Sequence, residues 1–256
     1  MHSEYDVCKA VCRQTFVKRQ FQEVRHVILD EAHNYEQPRN GTSWLHKARQ
    51  IVRQQDRGRP GYLWVFTDSH QLNHIFNTGM PTEDLQQPEF LLKTVIRNSG
   101  EVFKYTTRHL TRQTGSVQHN PALGHDFRGE KVSFRHYTAK SKLQVLHEII
   151  RGLIEEGYEL RDIAVLFSKR DCIPDRSFGY PYCSATGNSS DKVVVSTVRK
   201  YSGLERPVVV VVDLECSPPE GCNMRPFQYC AHTRAMVKLI IVRCETCKRI
   251  CQSQRQ

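Results

Sequence analysis

Apolar residues recur along this chain in two rhythms, short continuous runs and helical spacings, and they alternate in the order that builds a parallel sheet. Residues 24–30 (VRHVILD) form an apolar run ending in acid, which reads as a buried strand delivering Asp30 and Glu31 at its carboxyl end. Residues 42–55 place Trp44, Leu45, Ala48, Ile51 and Val52 at helical spacing after a capping Thr42 or Ser43, and glycine and proline at 58–61 stop the helix. Residues 61–68 (GYLWVFTD) are a second buried strand, completing a βαβ unit. The stretch 69–87 is polar and loop-like, and 90–110 reads as one or two helices around Val95, Ile96, Val102 and Phe103.

Between 111 and 129 the composition turns to Gln, Asn, Gly, Pro and His, which places an interdomain connection at about 116–130. The second half restarts the pattern with a strand at 131–137, an amphipathic helix at 141–156 and a strand at 163–168. After an irregular stretch at 171–191, strands follow at 192–197, 208–214 and 239–242. The expected class is therefore α/β with parallel sheets: a first domain over 1–115, a linker over 116–130, a second domain over 131–243 and a cysteine-containing basic tail over 244–256.

Length and charge narrow the classes of function. A chain of 256 residues can bury one large core or two smaller ones. The longest apolar run, five valines at 208–212, is far short of the roughly 20 residues of a membrane span, so no membrane partner is expected. The first ten residues hold two acids and lack a signal-peptide core. An intracellular location follows as the expectation, nucleus or cytoplasm, with the ten cysteines as free thiols. The net charge of +10 favours a polyanion, and nucleic acid is the obvious one.

Five segments carry candidate chemistry. Asp30, Glu31, Ala32 and His33 follow an apolar strand, the arrangement in which one carboxylate holds Mg²⁺ and the next orients or deprotonates an attacking water. Asp30 is the metal partner and Glu31 the base. Asp68 and Gln71, at the end of the neighbouring strand, can sense a γ-phosphate by hydrogen bonding, against the alternative of an ordinary strand-to-loop turn. Arg97, placed on a helix, is a candidate phosphate ligand, with a plain surface arginine as its alternative. The loop holding Ser202, Gly203 and Glu205 lets backbone approach phosphate or ribose, with Gly203 and Glu205 as nucleotide contacts. Ser196, Thr197 and Lys200 equally suit a nucleic-acid backbone. Arg234, placed on a helix feeding the last strand, has the position of an arginine finger.

In this order, Asp30-Glu-Ala-His33, Thr67-Asp-Ser-His-Gln71, Val95-Ile-Arg-Asn98, Ser202-Gly-Leu-Glu205 and Thr233-Arg-Ala235 resemble the motifs of superfamily 1 helicases. Their details, with Arg199-Lys-Tyr-Ser-Gly-Leu-Glu-Arg206 and Ala231-His-Thr-Arg-Ala235, are similar to the C-terminal helicase-like region of long Schlafen proteins over about residues 5–243. The resemblance implies two RecA-like P-loop NTPase lobes, ATP and Mg²⁺ as cofactors, and single-stranded DNA or RNA, including tRNA, as partner. It assigns Asp30 and Glu31 to metal and water, Gln71, Arg97 and Arg234 to the γ-phosphate, and Glu205 to the ribose.

The sequence contains no Gly-x-x-x-x-Gly-Lys-Ser/Thr and no Gly-Lys dipeptide, so the loop that cradles ATP's phosphates is missing. Only 29 residues precede Asp30, so the first lobe is expected to be incomplete and this fragment inactive in turnover. Its uncovered sheet edge calls for a protein partner or the missing N-terminal segment. Cys244, Cys247 and Cys251 provide three thiols towards a zinc site that His232 would have to complete, against a reading as exposed thiols. His70, His74, His109 and His119 read as loop histidines.

Overall fold

A computed structural model describes residues 9–245 apart from 22, 38–42, 54–60, 72–78, 82–89, 111–120, 139–140, 176–177, 186, 188–189, 217–218 and 221–222. Packing divides the chain into two compact units, one formed by Met1–Ser69 with Phe76–Leu85, the other by His70–Ile75 with Gln86–Gln256. The fold is α/β, and every paired strand among the described residues is parallel to its neighbour.

In the first unit a short helix, α1 (Arg13–Lys18), precedes β1 (Val27–Leu29), α2 (Trp44–Arg53) and β2 (Leu63–Val65). The βαβ order read from the sequence is present, with Ile28 opposite Trp64 in the ladder. Trp44, Leu45, Ala48 and Ile51 bury the expected face of α2 against Val27 and Leu29. Burial of the two strands differs from expectation. Ile28 is 66% exposed and Trp64 46%, with Tyr62 and Phe66 exposed on the same side, because side chains alternate across a strand and α2 covers one face only.

The second unit carries a two-stranded sheet, β3 (Thr94–Val95) with β4 (Ala122–Leu123), then α3 (Gly100–Thr106). Residues 94–95 were expected to be helical and 122–123 to be linker. The β-branched pair Thr94 and Val95 instead finds a strand partner beyond the reach of any local pattern. Ser99 N–H then donates to Met236 O at 2.6 Å and Ser99 Oγ to Val237 O at 2.9 Å, which draws α3 into the second unit. The division made by packing thus falls before residue 116, where composition alone set it.

The main sheet takes the order β5-β10-β9-β6-β8-β7 from β5 (Ser133–Tyr137), β6 (Ile163–Phe167), β7 (Tyr182–Cys183), β8 (Val193–Thr197), β9 (Arg206–Val212) and β10 (Ala235–Cys244). One face packs on α4 (Lys142–Glu155) through Leu146, Ile149, Ile150 and Leu153. The other packs on α3 and on α5 (Met224–His232) through Val102, Phe227, Cys230 and Ala231. All five residues of β6 are buried, which is why the central strands read as unbroken apolar runs.

β10 starts four residues earlier than expected because Lys238 interrupts the apolar pattern. That lysine is buried, and its Nζ reaches Glu130 Oε2 at 2.7 Å and Glu156 Oε2 as well. Burial alone would lower its pKa, but the two carboxylates outweigh it and raise it. At the carboxyl end of the sheet Asp213, itself at a left-handed φ of 51°, accepts from Tyr137 Oη, from Lys142 Nζ at 3.1 Å and from Cys244 N–H at 3.0 Å. One carboxylate there ties β5, β9, β10 and the start of α4 together.

Candidate functional site

Parallel strands deliver the first group of candidates in the first unit. Phe66 N–H donates to Leu29 O at 2.8 Å and Ala32 N–H to Phe66 O at 2.9 Å, extending the β1–β2 pairing past both strand ends. Asp30, Glu31 and Asp68 therefore stand at carboxyl ends of adjacent parallel strands, where open α/β sheets hold ligands. Asp30 is exposed, and its Oδ1 accepts the Glu31 N–H at 2.9 Å. Glu31 occupies the left-handed region at φ 52°, a conformation that costs a non-glycine residue on the order of 1 kcal/mol.

Sequence reading gave His33 no role, yet it is 2% exposed and fastens this end of the sheet. Its Nδ1 accepts the Asp68 N–H at 3.1 Å, and its Nε2 lies 3.1 Å from Glu31 Oε2, which also accepts from Asn34 Nδ2 at 3.2 Å. An Nδ1 that accepts leaves the ring proton on Nε2, close to the glutamate but not aligned in a hydrogen bond with it. Glu31 thus accepts from Asn34 with the imidazole of His33 beside it, while Asp30 is exposed.

Among the described residues no group of three or more His, Cys, Asp or Glu is placed to hold a metal ion. Mg²⁺ asks for less, since it retains several waters and takes one or two protein carboxylates beside the phosphates, and the exposed Asp30 suits that part. For zinc, Cys247 and Cys251 lie outside the described residues.

The second unit gathers candidates from four separate segments around the start of β10. Gln71 is 7% exposed and Arg234 1%, and Gln71 Oε1 accepts from Arg234 Nη2. Arg234 Nε donates to Cys230 O at 3.0 Å, closing the end of α5, and its own carbonyl accepts Arg206 N–H at 3.1 Å. Arg234 lies in the turn between α5 and β10, two residues past the helix where it was expected. Asn98 Nδ2 donates to Thr233 O at 2.9 Å and Ala235 O at 2.7 Å, bracketing that turn from both sides. Nothing in the sequence marks this duty except that Asn98 follows Arg97 in the quoted motif.

Arg97 follows β3 in a turn and not on a helix. Its Nη1 lies 3.0 Å from Glu205 Oε2, with the two side chains 48% and 38% exposed. An ion pair this exposed contributes at most about 1 kcal/mol, so it is easily exchanged for a ligand. Gly203, at φ 79°, uses the left-handed turn that glycine adopts freely.

The candidate nucleic-acid residues divide. Lys200 is exposed, and Thr197 Oγ1 accepts the Lys200 N–H at 3.3 Å. Ser196 is 2% exposed, with its hydroxyl buried inside the sheet layer and lacking a hydrogen-bond partner, so it is not a surface contact. The alternation along β8 points it towards the core face shared with Val194. Beneath the loop Tyr201 is buried, and burial pushes its pKa up to about 12.

His109 is not a loop histidine. It sits half-buried beside Tyr105 and His232, at ring separations of 5.6 and 5.0 Å. Burial lowers the pKa of both histidines, that of His232 well below the ordinary value, with the neighbouring histidine and Arg243 adding to the effect there.

No family model matches the chain. Among solved structures, the chain is similar to the C-terminal domain of a possible DNA helicase from Lactobacillus plantarum WCFS1, at 16% identity over 57% of this chain and 86% of that one, with a TM-score of 0.41. It is also similar to arterivirus nonstructural protein 10, a helicase, at 16% identity over 84% of this chain and 38% of that one, TM-score 0.40. For the same arterivirus helicase in complex with DNA the values are 16%, 85%, 39% and 0.41. This chain thus spans under two fifths of the length of the arterivirus proteins. No helix among the described residues is long and apolar enough to cross a membrane.

Proposed function

We infer that this chain is a helicase-like module of Schlafen type, whose parent couples ATP and Mg²⁺ binding and hydrolysis to a grip on single-stranded DNA or RNA. The observation that carries the reading is the buried pairing of Gln71 with Arg234, two residues far apart in sequence that were each assigned to the γ-phosphate. A buried guanidinium held by one amide and one carbonyl is pre-oriented, and a phosphate offers it the stronger, charged acceptor. Arg97 and Glu205 stand ready on the segments adjoining that turn, and Asn98 fixes its backbone.

In the first unit, Asp30 would hold Mg²⁺, whose chemistry there is to neutralise phosphate charge. Glu31, held by Asn34 beside His33, orients or deprotonates the attacking water. The test is ATP turnover, with and without oligo-dT, by the longest product of the gene. Glu31→Gln and Arg234→Ala are each expected to lower turnover at least a hundredfold while leaving strand binding in place. Undiminished turnover in Glu31→Gln would overturn the assignment.

A second reading, a non-catalytic binding module, is favoured by one specific feature, the absence of a phosphate-loop motif from the sequence. It expects salt-dependent, ATP-independent binding of single strands and no turnover in any form of the protein.

A further inference from the structure

Away from the Gln71–Arg234 pair, the face of the main sheet that carries α3 and α5 ends at the edge strand β5 in a cluster of rings and guanidinium groups. Phe134 is 41% exposed, and its ring lies 5.9 Å from that of Tyr105, edge to face. The guanidinium of Arg243 lies 5.2 Å from the Phe134 centroid and that of Arg108 5.6 Å from the Tyr105 centroid. Tyr105 packs on His232 at 5.4 Å, and His232 on His109. Burial keeps those two histidines uncharged near neutral pH, so the floor is aromatic and neutral and the positive charge comes from the arginines at its rim.

Glu215 Oε1 pairs with Arg243 at 3.0 Å and accounts for one of the two cations. Arg108 is exposed and forms no ion pair among the described residues, and Arg135 and His136 are exposed on β5 itself. His136 stands opposite Arg243 in the ladder, on the same side of the sheet as Phe134. An edge strand that exposes an aromatic ring beside arginines and a histidine, with the half-buried Glu215 engaged by Arg243, suits a ligand with flat π-faces and a run of negative charge. Single-stranded nucleic acid has both.

We propose that the Tyr105–Phe134 ring pair, with Arg108 and Arg243 at its rim, is a stacking contact for a base of single-stranded nucleic acid, additional to the contacts assigned to Thr197 and Lys200. The proposal rests on the nucleic-acid reading above and gives it a surface. Phe134 offers its ring, braced by the Arg243 that Glu215 holds, Arg108 meets a flanking phosphate, and His232 and His109 pack around Tyr105. Recognition of this kind is tolerant of sequence, because every base has a π-face.

The experiment is a fluorescence-anisotropy titration of the full chain with labelled oligo-dT and oligo-rU at low and moderate salt. Phe134→Ala combined with Arg108→Ala is expected to weaken binding about tenfold and to lessen its salt dependence, whereas Phe134→Trp binds as the native chain does. Both sites are exposed, so the melting temperature should stay unchanged, and an oligonucleotide carrying 5-iodouracil should crosslink to Phe134 or Tyr105 under ultraviolet light. If the native chain binds strands and the double variant binds equally well, or the crosslink maps elsewhere, this surface falls and the functional reading stands. If the native chain binds no strand at low salt, the nucleic-acid reading itself falls and takes the surface with it.

Discussion

The two units use one grammar, parallel strands joined by helices, and bury it to very different depths. In the second, β6 is buried along its whole length and helices cover both faces of a six-stranded sheet. The first has two three-residue strands with a helix on one face, and Ile28, Tyr62, Trp64 and Phe66 exposed on the other. A parallel sheet gains most when both faces leave water, so the second unit holds the larger share of hydrophobic stabilisation. The difference also sorts the candidate residues. Arg234 and Gln71 are locked into a core, whereas Asp30 sits at the rim of a thin sheet, where water and a hydrated cation have access.

Truncating one core residue in each unit exposes that contrast most strongly. Leu166→Ala, in the middle of β6, should cost about 2–5 kcal/mol, while Ile28→Ala should change stability by no more than about 0.5 kcal/mol. Denaturant titration followed by tryptophan fluorescence and far-ultraviolet dichroism measures both, and equal losses would break the comparison.

A smaller effect comes from acid. His232 and His109 resist protonation in the folded second unit because they are buried and because Arg243, Arg225 and Arg108 lie near, with Glu215 partly opposing. The unfolded imidazoles take up protons near pH 6.5, so the unfolded state binds more protons below that pH. Stability should fall as pH drops through about 6.5, by up to about 1.4 kcal/mol per pH unit for each histidine, and should gain nothing from these groups at higher pH. Unfolding curves between pH 7 and 5 should be visibly flatter for His232→Phe, and an unchanged slope would show that the ring titrates freely.

Smallest is Gly203→Ala. The added Cβ meets no atom, so only the left-handed φ of 79° opposes it, at about 1 kcal/mol. A melting temperature lowered by a few degrees fits that strain, and a larger drop would mean that this loop is packed more tightly than its exposure indicates.

Much of this was legible from the chain alone. The valines of β8 and β9, the stripe of Leu146, Ile149, Ile150 and Leu153 on α4, and the acids closing β1 were each announced by local periodicity. Periodicity failed where a distant partner decided the outcome. β3 and β4 are two residues each, too short to show a period, and exist because they pair with one another across the chain. Lys238 hid the first half of β10, since a buried lysine reads as surface until Glu130 and Glu156 are brought beside it. Ser196 read as a polar contact, and only the neighbouring strands and the layer over them place it inside.

By itself, then, the sequence determined the parallel α/β class, the order of the motifs and the types of residue able to handle phosphate, because these follow from local patterns of polarity and chemical kind. Tertiary structure decided which of them meet: Gln71 with Arg234, Arg97 with Glu205, Glu31 with His33, and Arg243 with the ring of Phe134. All but the Glu31–His33 pair join residues far apart in the chain, and that one depends on Asp68 to set the face of the imidazole. No local pattern encodes such meetings, since they form only when the burial of apolar surface folds distant segments onto one another.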